Sequence, residues 1–181
     1  MANEDLKDLI QEIKTRPQQK IKCERILVPL DGSGQAFMAV KEAIRLARVT
    51  GAELTLLMVV DYDREVAAFE QVSLSGYVPA ELKIAACRYL AELMHVIPAE
   101  LKAHTRVETG SPADVILAVA QEEESDLIVM GSRGLGAVHG LLVGSVSREV
   151  LQQAGCPVLL CKNVPDDWDE ADIIRLSNSN K

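Results

Sequence analysis

Leu127-Ile128-Val129-Met130-Gly131-Ser132-Arg133-Gly134, then nine residues, then Gly144-Ser145, is the stretch on which the reading of this chain turns. The apolar run is short enough for a buried strand, and the pattern from Val146 to Ala154 is that of a helix. A strand that opens into a glycine-rich turn and closes on a helix N-terminus is a recipe for an anion site. Glycine lets the main chain approach a phosphate, and the first amides of the helix have no partners within it.

Working outward, four more strands alternate with three more helices. The first strand is Arg25-Ile26-Leu27-Val28-Pro29-Leu30-Asp31, with turn residues at Gly32-Ser33-Gly34. A helix from Gln35 to Val49 carries Ala36, Val40, Ala43 and Ala47 on one face, with Gly51 as its stop. The second strand, Leu54 to Asp61, is almost continuously apolar, as strands covered on both faces are. Residues 62 to 78 read as an irregular loop, and a long helix follows from Pro79 to His95. The third strand, His104 to Thr109, alternates Thr105, Val107 and Thr109 with Arg106 and Glu108, the mark of an exposed edge. Ser111 and Pro112 suit the N-cap and first position of a helix that stops at Glu122-Glu123-Glu124. The fourth strand is Asp126 to Met130 and the fifth Pro157 to Cys161.

Alternating strands and helices imply right-handed crossovers and one doubly wound α/β domain. In such a sheet ligands bind beyond the carboxyl ends of the strands, where the winding reverses. Placing the two glycine-bearing turns at one crevice makes the first and fourth strands neighbours. The parallel sheet then has the order 3-2-1-4-5, with helices on both faces and the polar third strand at an edge.

Composition bounds the alternatives. The 181 residues give room for one domain with extensions, 1–21 before it and 163–181 after it. Leu6, Leu9, Ile10 and Ile13 recur at helical spacing, so the first extension reads as a short amphipathic helix on its own domain; the second is an acidic tail carrying Trp168. No run reaches the roughly 20 apolar residues of a membrane span, and the polar start is unlike a signal peptide; a cytoplasmic protein is expected. Cys23, Cys87, Cys156 and Cys161 form no Cys-x-x-Cys pair, so neither a metal site nor a disulfide framework is expected. A net charge of −8 opposes nucleic acid as partner, though not a small nucleotide held by local dipoles. Pro-Ala-Glu-Leu-Lys at Pro79 and again at Pro98 is read as a chance echo.

The glycine loop lacks the Gly-Lys-Ser/Thr ending of a Walker A loop, so no lysine is set on the outer phosphates. It misses the dinucleotide fingerprint too: Gly134 and Gly136 fit, but His139 stands at the third glycine position. What Gly131-x2-Gly134-x9-Gly144-Ser145 does resemble, together with Val28-Pro29-Leu30-Asp31-Gly32-Ser33, is the ATP-binding class of universal stress proteins. The resemblance spans Lys22 to Lys162 in the right order, including Gly-Ser-Val-Ser-Arg-Glu-Val entering the last helix.

The resemblance implies the same sheet order, a bound ATP, AMP or other adenine nucleotide, alone or with Mg2+, and a homodimer. It further implies that Asp31, next to Pro29 in its motif, holds the ribose hydroxyls and that Val59 touches adenine. Gly131, Arg133, Gly134, Gly144, Ser145, Val146 and Ser147 would wrap ribose and phosphates. Relatives often carry histidine where Arg133 stands, and arginine keeps a donor while fixing the charge.

Each residue also has a plainer role. Asp31 could only cap a turn, Gly131 and Gly134 only serve a tight strand-to-helix connection, Ser145 only N-cap the last helix, and Arg133 be a solvated charge. Gly136 and Gly140 read as loop glycines, and His139 is given no catalytic role. No catalytic residue and no metal ligand is assigned. Three functions remain: a nucleotide-occupied stress sensor, which is the expectation; a slow or self-phosphorylating ATPase; and a nucleotide-free interaction module. Val158-Leu159-Leu160, short and uncharged at the other sheet edge, is the expected dimer strand.

Overall fold

The structure, a computed structural model, describes Lys7, Gln11 and residues 23–61, 78–134 and 143–162. The expected N-terminal helix, the loop after the second strand, Gly136, His139, Gly140 and the acidic tail lie outside these residues, save that Lys7 and Gln11 are helical.

The elements in order are β1 (Arg25–Leu30), α1 (Gly34–Thr50), β2 (Glu53–Val60), α2 (Val78–Met94), β3 (Ala103–Thr109), α3 (Pro112–Glu122), β4 (Leu127–Gly131), α4 (Ser145–Gln153) and β5 (Val158–Cys161). All pairings are parallel and the strand order is β3-β2-β1-β4-β5, as expected. The winding reverses between β1 and β4.

The apolar runs continue through the central strands because each face of the sheet is covered. Ile26, Val28 and Leu30 of β1 and Leu54 and Leu56 of β2 point to α1 and α2, where Phe37, Val40, Ala43, Leu90 and Leu93 are buried. Leu27, Leu57, Ile128 and Met130 point the other way, to Ala113, Ile116 and Val119 of α3 and Val150 of α4. Alternate residues of one strand thus serve two cores. With aromatics only 3% of the chain, alanines at Ala36, Ala39, Ala43 and Ala47 let α1 lie close to the sheet.

Helix ends follow the residues that sit there. Ser33 N-caps α1, its hydroxyl accepting from Ala36 N at 3.2 Å, and Gly51 closes the helix in the left-handed conformation at φ 79°. Ser111 and Pro112 stand where expected at the start of α3, but the Ser111 hydroxyl makes no capping bond. At the end of α3, Glu124 N reaches Gln121 O and Ser125 N reaches Ala120 O, with Glu124 left-handed at φ 49°, and the Arg25 guanidinium donates to Glu123 O at 2.6 Å.

The edge position of β3 is confirmed, although its charged residues are the more sheltered ones. Arg106 and Glu108 are half-buried while Thr105 and Thr109 are exposed. Arg106 turns toward the end of α3, donating to Glu108 at 2.7 Å, Glu122 at 2.7 Å and Glu123 at 3.2 Å. Donation to Glu122, then to Glu108, pushes the guanidinium pKa further up, and the same bond from Arg106 holds the Glu122 carboxyl below its ordinary value. Glu123 also accepts from Thr55 Oγ1 at 2.7 Å, so one carboxylate clamps β2, β3 and α3. The four cysteines are free, and burial raises the thiol pKa of Cys23, Cys156 and Cys161.

Candidate functional site

Where β1 and β4 end side by side, the turns that follow them meet. Gly131, the last residue of β4, passes directly over the first turn of α1. A Cβ built on it would lie 3.1 Å from Ala36 N and 3.1 Å from Gln35 C, a tight contact that the main chain of α1 would have to yield to by a few tenths of an ångström. Three residues on, Gly134 faces the Asp31 carboxylate, and a Cβ there would run into Asp31 Oδ2. Both glycines thus sit where a side chain would be crowded, Gly131 by the main chain of α1 and Gly134 by the end of the Asp31 side chain, and neither is there for its backbone angle. Gly144 is less confined; its nearest neighbour would be Arg133 Cα at 3.4 Å.

Hydrogen bonds fix this arrangement. Asp31 Oδ1 accepts from Ser33 N at 3.0 Å, so the aspartate does shape its own turn while its other oxygen overlies Gly134. Ser132 N donates to Cys161 O at 2.8 Å and Gly144 N to Ser132 O at 2.8 Å, joining the loop to β5 and returning it to itself. Ser147 is buried, and its hydroxyl donates to Gly131 O at 2.9 Å. Gln35, in the first turn of α1, accepts from Ser132 Oγ at 3.0 Å and from Arg133 N at 2.7 Å.

One expectation is corrected. The N-cap of α4 is Gly144, with φ −71° and ψ 163°, and Ser145 is already the first helical residue. Gly144 O takes the first helical bond, from Arg148 N at 3.0 Å, and no side chain caps the helix. The amides of the first turn after Gly144 are thus left by helix geometry for another acceptor.

These groups border a cavity of about 760 Å³ at the carboxyl ends of the strands. That volume lies within the roughly 300–1,000 Å³ usual for small-molecule sites. All ten residues singled out in the sequence line it: Pro29, Asp31, Val59, Gly131, Arg133, Gly134, Gly144, Ser145, Val146 and Ser147. Among them the start of α4, the glycine turn and Asp31 come together. The rest of the lining, which sequence reasoning missed, includes Leu82, Ala85, Ala86 and Tyr89 of α2 from one layer of helices, Pro112 and Ile116 of α3 from the other, and Met58 and Asp61 at the end of β2. The α2 residues lie at helical spacing on one stripe, a signal that was present in the sequence but indistinguishable from core. Gln35 carried no signal at all.

Chemically the cavity combines two kinds of lining. The start of α4, the glycine turn and Arg133 suit negative oxygens, the first helix amides having no partner within the helix. The α2 and α3 residues are mostly apolar, suited to a flat ring, and the Asp31 carboxylate beside Gly134 can accept from hydroxyls. A nucleotide fits that sequence of surfaces. Among the described residues no group of three or more His, Cys, Asp or Glu side chains gathers as a metal site.

Comparisons with known proteins bear on the same region. The model of the universal stress protein family matches residues 22–162. The universal stress protein MJ0531 of Methanocaldococcus jannaschii is 33% identical over 144 residues, covering 77% of this chain and 82% of that protein. Among solved structures, that of the hypothetical protein MJ0577 superposes with a TM-score of 0.70 at 27% identity, covering 80% of this chain and 99% of its own. A universal stress protein in complex with cAMP superposes with a TM-score of 0.52 at 26% identity, covering 78% of this chain and 98% of that one.

The contact geometry makes a stability prediction. Gly131→Ala should lower unfolding free energy by about 1–3 kcal/mol, because its Cβ presses on the main chain of α1. Gly155→Ala, where a Cβ meets nothing within 4 Å, should stay within about 0.5 kcal/mol of the parent. Urea titration of both variants checks the contrast; equal losses would refute the crowding assigned to Gly131.

Proposed function

The chain belongs to the universal stress protein family, and on that premise we propose that it is an adenine nucleotide-binding sensor of the cytoplasm, taking ATP or AMP in the cavity beyond β1 and β4. The observation that carries the reading is the Asp31 carboxylate seated against Gly134 at the mouth of α4. It puts a hydroxyl acceptor beside an anion cradle, the separation of functions a ribose 5′-phosphate requires. The cAMP complex of a relative supports an adenine nucleotide as the ligand class.

In this reading residues 22–162 are the binding unit, and 1–21 and 163–181 are extensions of it. Asp31 accepts from the ribose hydroxyls, and Val59 with the aliphatic wall of α2 and α3 takes the base. Gly134, Gly144 and the first amides of α4 face the phosphates, and Arg133 neutralises them. Ser147 acts from behind, since its proton is committed to Gly131 O. Pro29 lines the cavity at the end of β1. Mg2+ would arrive on the phosphates of ATP and add charge neutralisation there. Occupancy, not turnover, is the output: the chain brings one arginine and a helix end to the phosphates, less than phosphoryl transfer ordinarily uses.

Calorimetry should detect ATP binding by the parent protein and none by Gly134→Val, with the far-ultraviolet spectrum and melting of the variant showing a folded domain. Equal affinity in both would sink the assignment. ATP hydrolysis should run well below ~1 s⁻¹, the low end of ordinary enzymes. Turnover of tens per second, lost in Asp31→Asn, would make the protein an enzyme instead.

A homodimer through β5 belongs to the same proposal. The strand is at the sheet edge, uncharged, with Leu159 39% exposed. Sedimentation at micromolar concentration should give a dimer that Leu159→Glu shifts toward monomer; a parent protein that sediments as a monomer refutes it.

A further inference from the structure

We propose that Gln35 is the positioning residue of the anion loop, a role that rests on the nucleotide reading above. Its side-chain oxygen is the acceptor for two donors of the loop, Ser132 Oγ at 3.0 Å and Arg133 N at 2.7 Å, across 97 and 98 residues of chain. A main-chain N–H only donates, so the bond to Arg133 N fixes which end of the Gln35 amide faces the loop. Gln35 lies in the first turn of α1, two residues after Ser33, which is itself tied to Asp31. The two halves of the site, the aspartate turn and the glycine turn, are thereby joined by one side chain.

Two consequences follow for the ligand. First, Arg133 N–H is occupied from inside the protein, so what Arg133 turns to an anion is its guanidinium, and the amides left for phosphate are those beyond it. Second, Gly134 is the next residue, and its close fit under Asp31 requires the Arg133 main chain to stay where Gln35 holds it. Ser132 is held separately, from Cys161 and Gly144. Loss of the Gln35 acceptor therefore frees the chain at Arg133 and Gly134 while leaving β4 in place. Asp31 keeps its own hold on Ser33 N, so loss of the Gln35 acceptor should matter for ATP and not for adenosine.

Two variants test this in the full chain. Gln35→Leu removes the acceptor; Gln35→Glu keeps an acceptor oxygen at similar reach. In the nucleotide-free protein, hydrogen exchange of the Arg133 amide should quicken at least about tenfold in Gln35→Leu and return toward the parent rate in Gln35→Glu. Calorimetry should show ATP binding at least about tenfold weaker in Gln35→Leu, with adenosine affinity unchanged.

Unchanged exchange at Arg133 overturns the positioning role, as does equal ATP affinity in parent and Gln35→Leu. An equal loss for ATP and adenosine also overturns it, since that is damage to the whole fold. A parent protein that binds neither ligand sinks the nucleotide reading itself, a result distinct from failure at Gln35 alone.

Discussion

The closeness of two main chains governs this molecule. β1 and β4 lie side by side at the reversal of winding, so the chain leaving β4 has to cross the helix that leaves β1. At Gly131 a side chain would press on the main chain of α1, and at Gly134 the space is taken by the end of the Asp31 side chain. Everything attached to these crossings inherits their geometry: the Gln35 and Ser147 hydrogen bonds, the return of the loop at Gly144, and the direction in which α4 starts. The cavity is what remains between that crowded seam and the helices α2 and α3.

The electrostatics are local in the same way. The chain carries −8 overall, yet the side of the cavity built by the α4 N-terminus and Arg133 offers donors and positive charge at short range. A compact dipole array works over a few ångströms, while net charge is screened beyond about 8–10 Å in physiological salt. An acidic protein and an anionic ligand are thus compatible, provided the contact is made by main-chain amides rather than by a broad basic surface.

Strand order and both helix layers were legible because each element carries its period and because Asp31 and the glycine turn had to meet at one crevice. The polar β3 was legible as an edge for the same reason. Legibility failed where a residue's role depends on what comes across from elsewhere in the chain. Gln35 looks like any helix-start glutamine until Arg133 arrives, 98 residues later, at its side-chain oxygen. Leu82 and Tyr89 have the spacing of core residues and also line the cavity, Tyr89 while packing against the core. Ser145 sat next to the true cap, Gly144, and both residue types are at home there, so the choice fell to the backbone of the returning loop. Arg106 read only as part of the alternation of an exposed edge, but three carboxylates gather around it from its own strand and from α3.

The two margins of the sheet are chemically unlike. β3 is faced with Arg106, Glu108 and His104, while β5 is four uncharged residues. This sets the stoichiometry of any assembly built by adding strands. A second copy joined across β5 by a two-fold axis turns both uncharged margins inward and leaves a β3 at each outer end of the doubled sheet. Charge would then face solvent at both ends and growth would stop at two, so an asymmetry that admitted a partner would also bar a fibre.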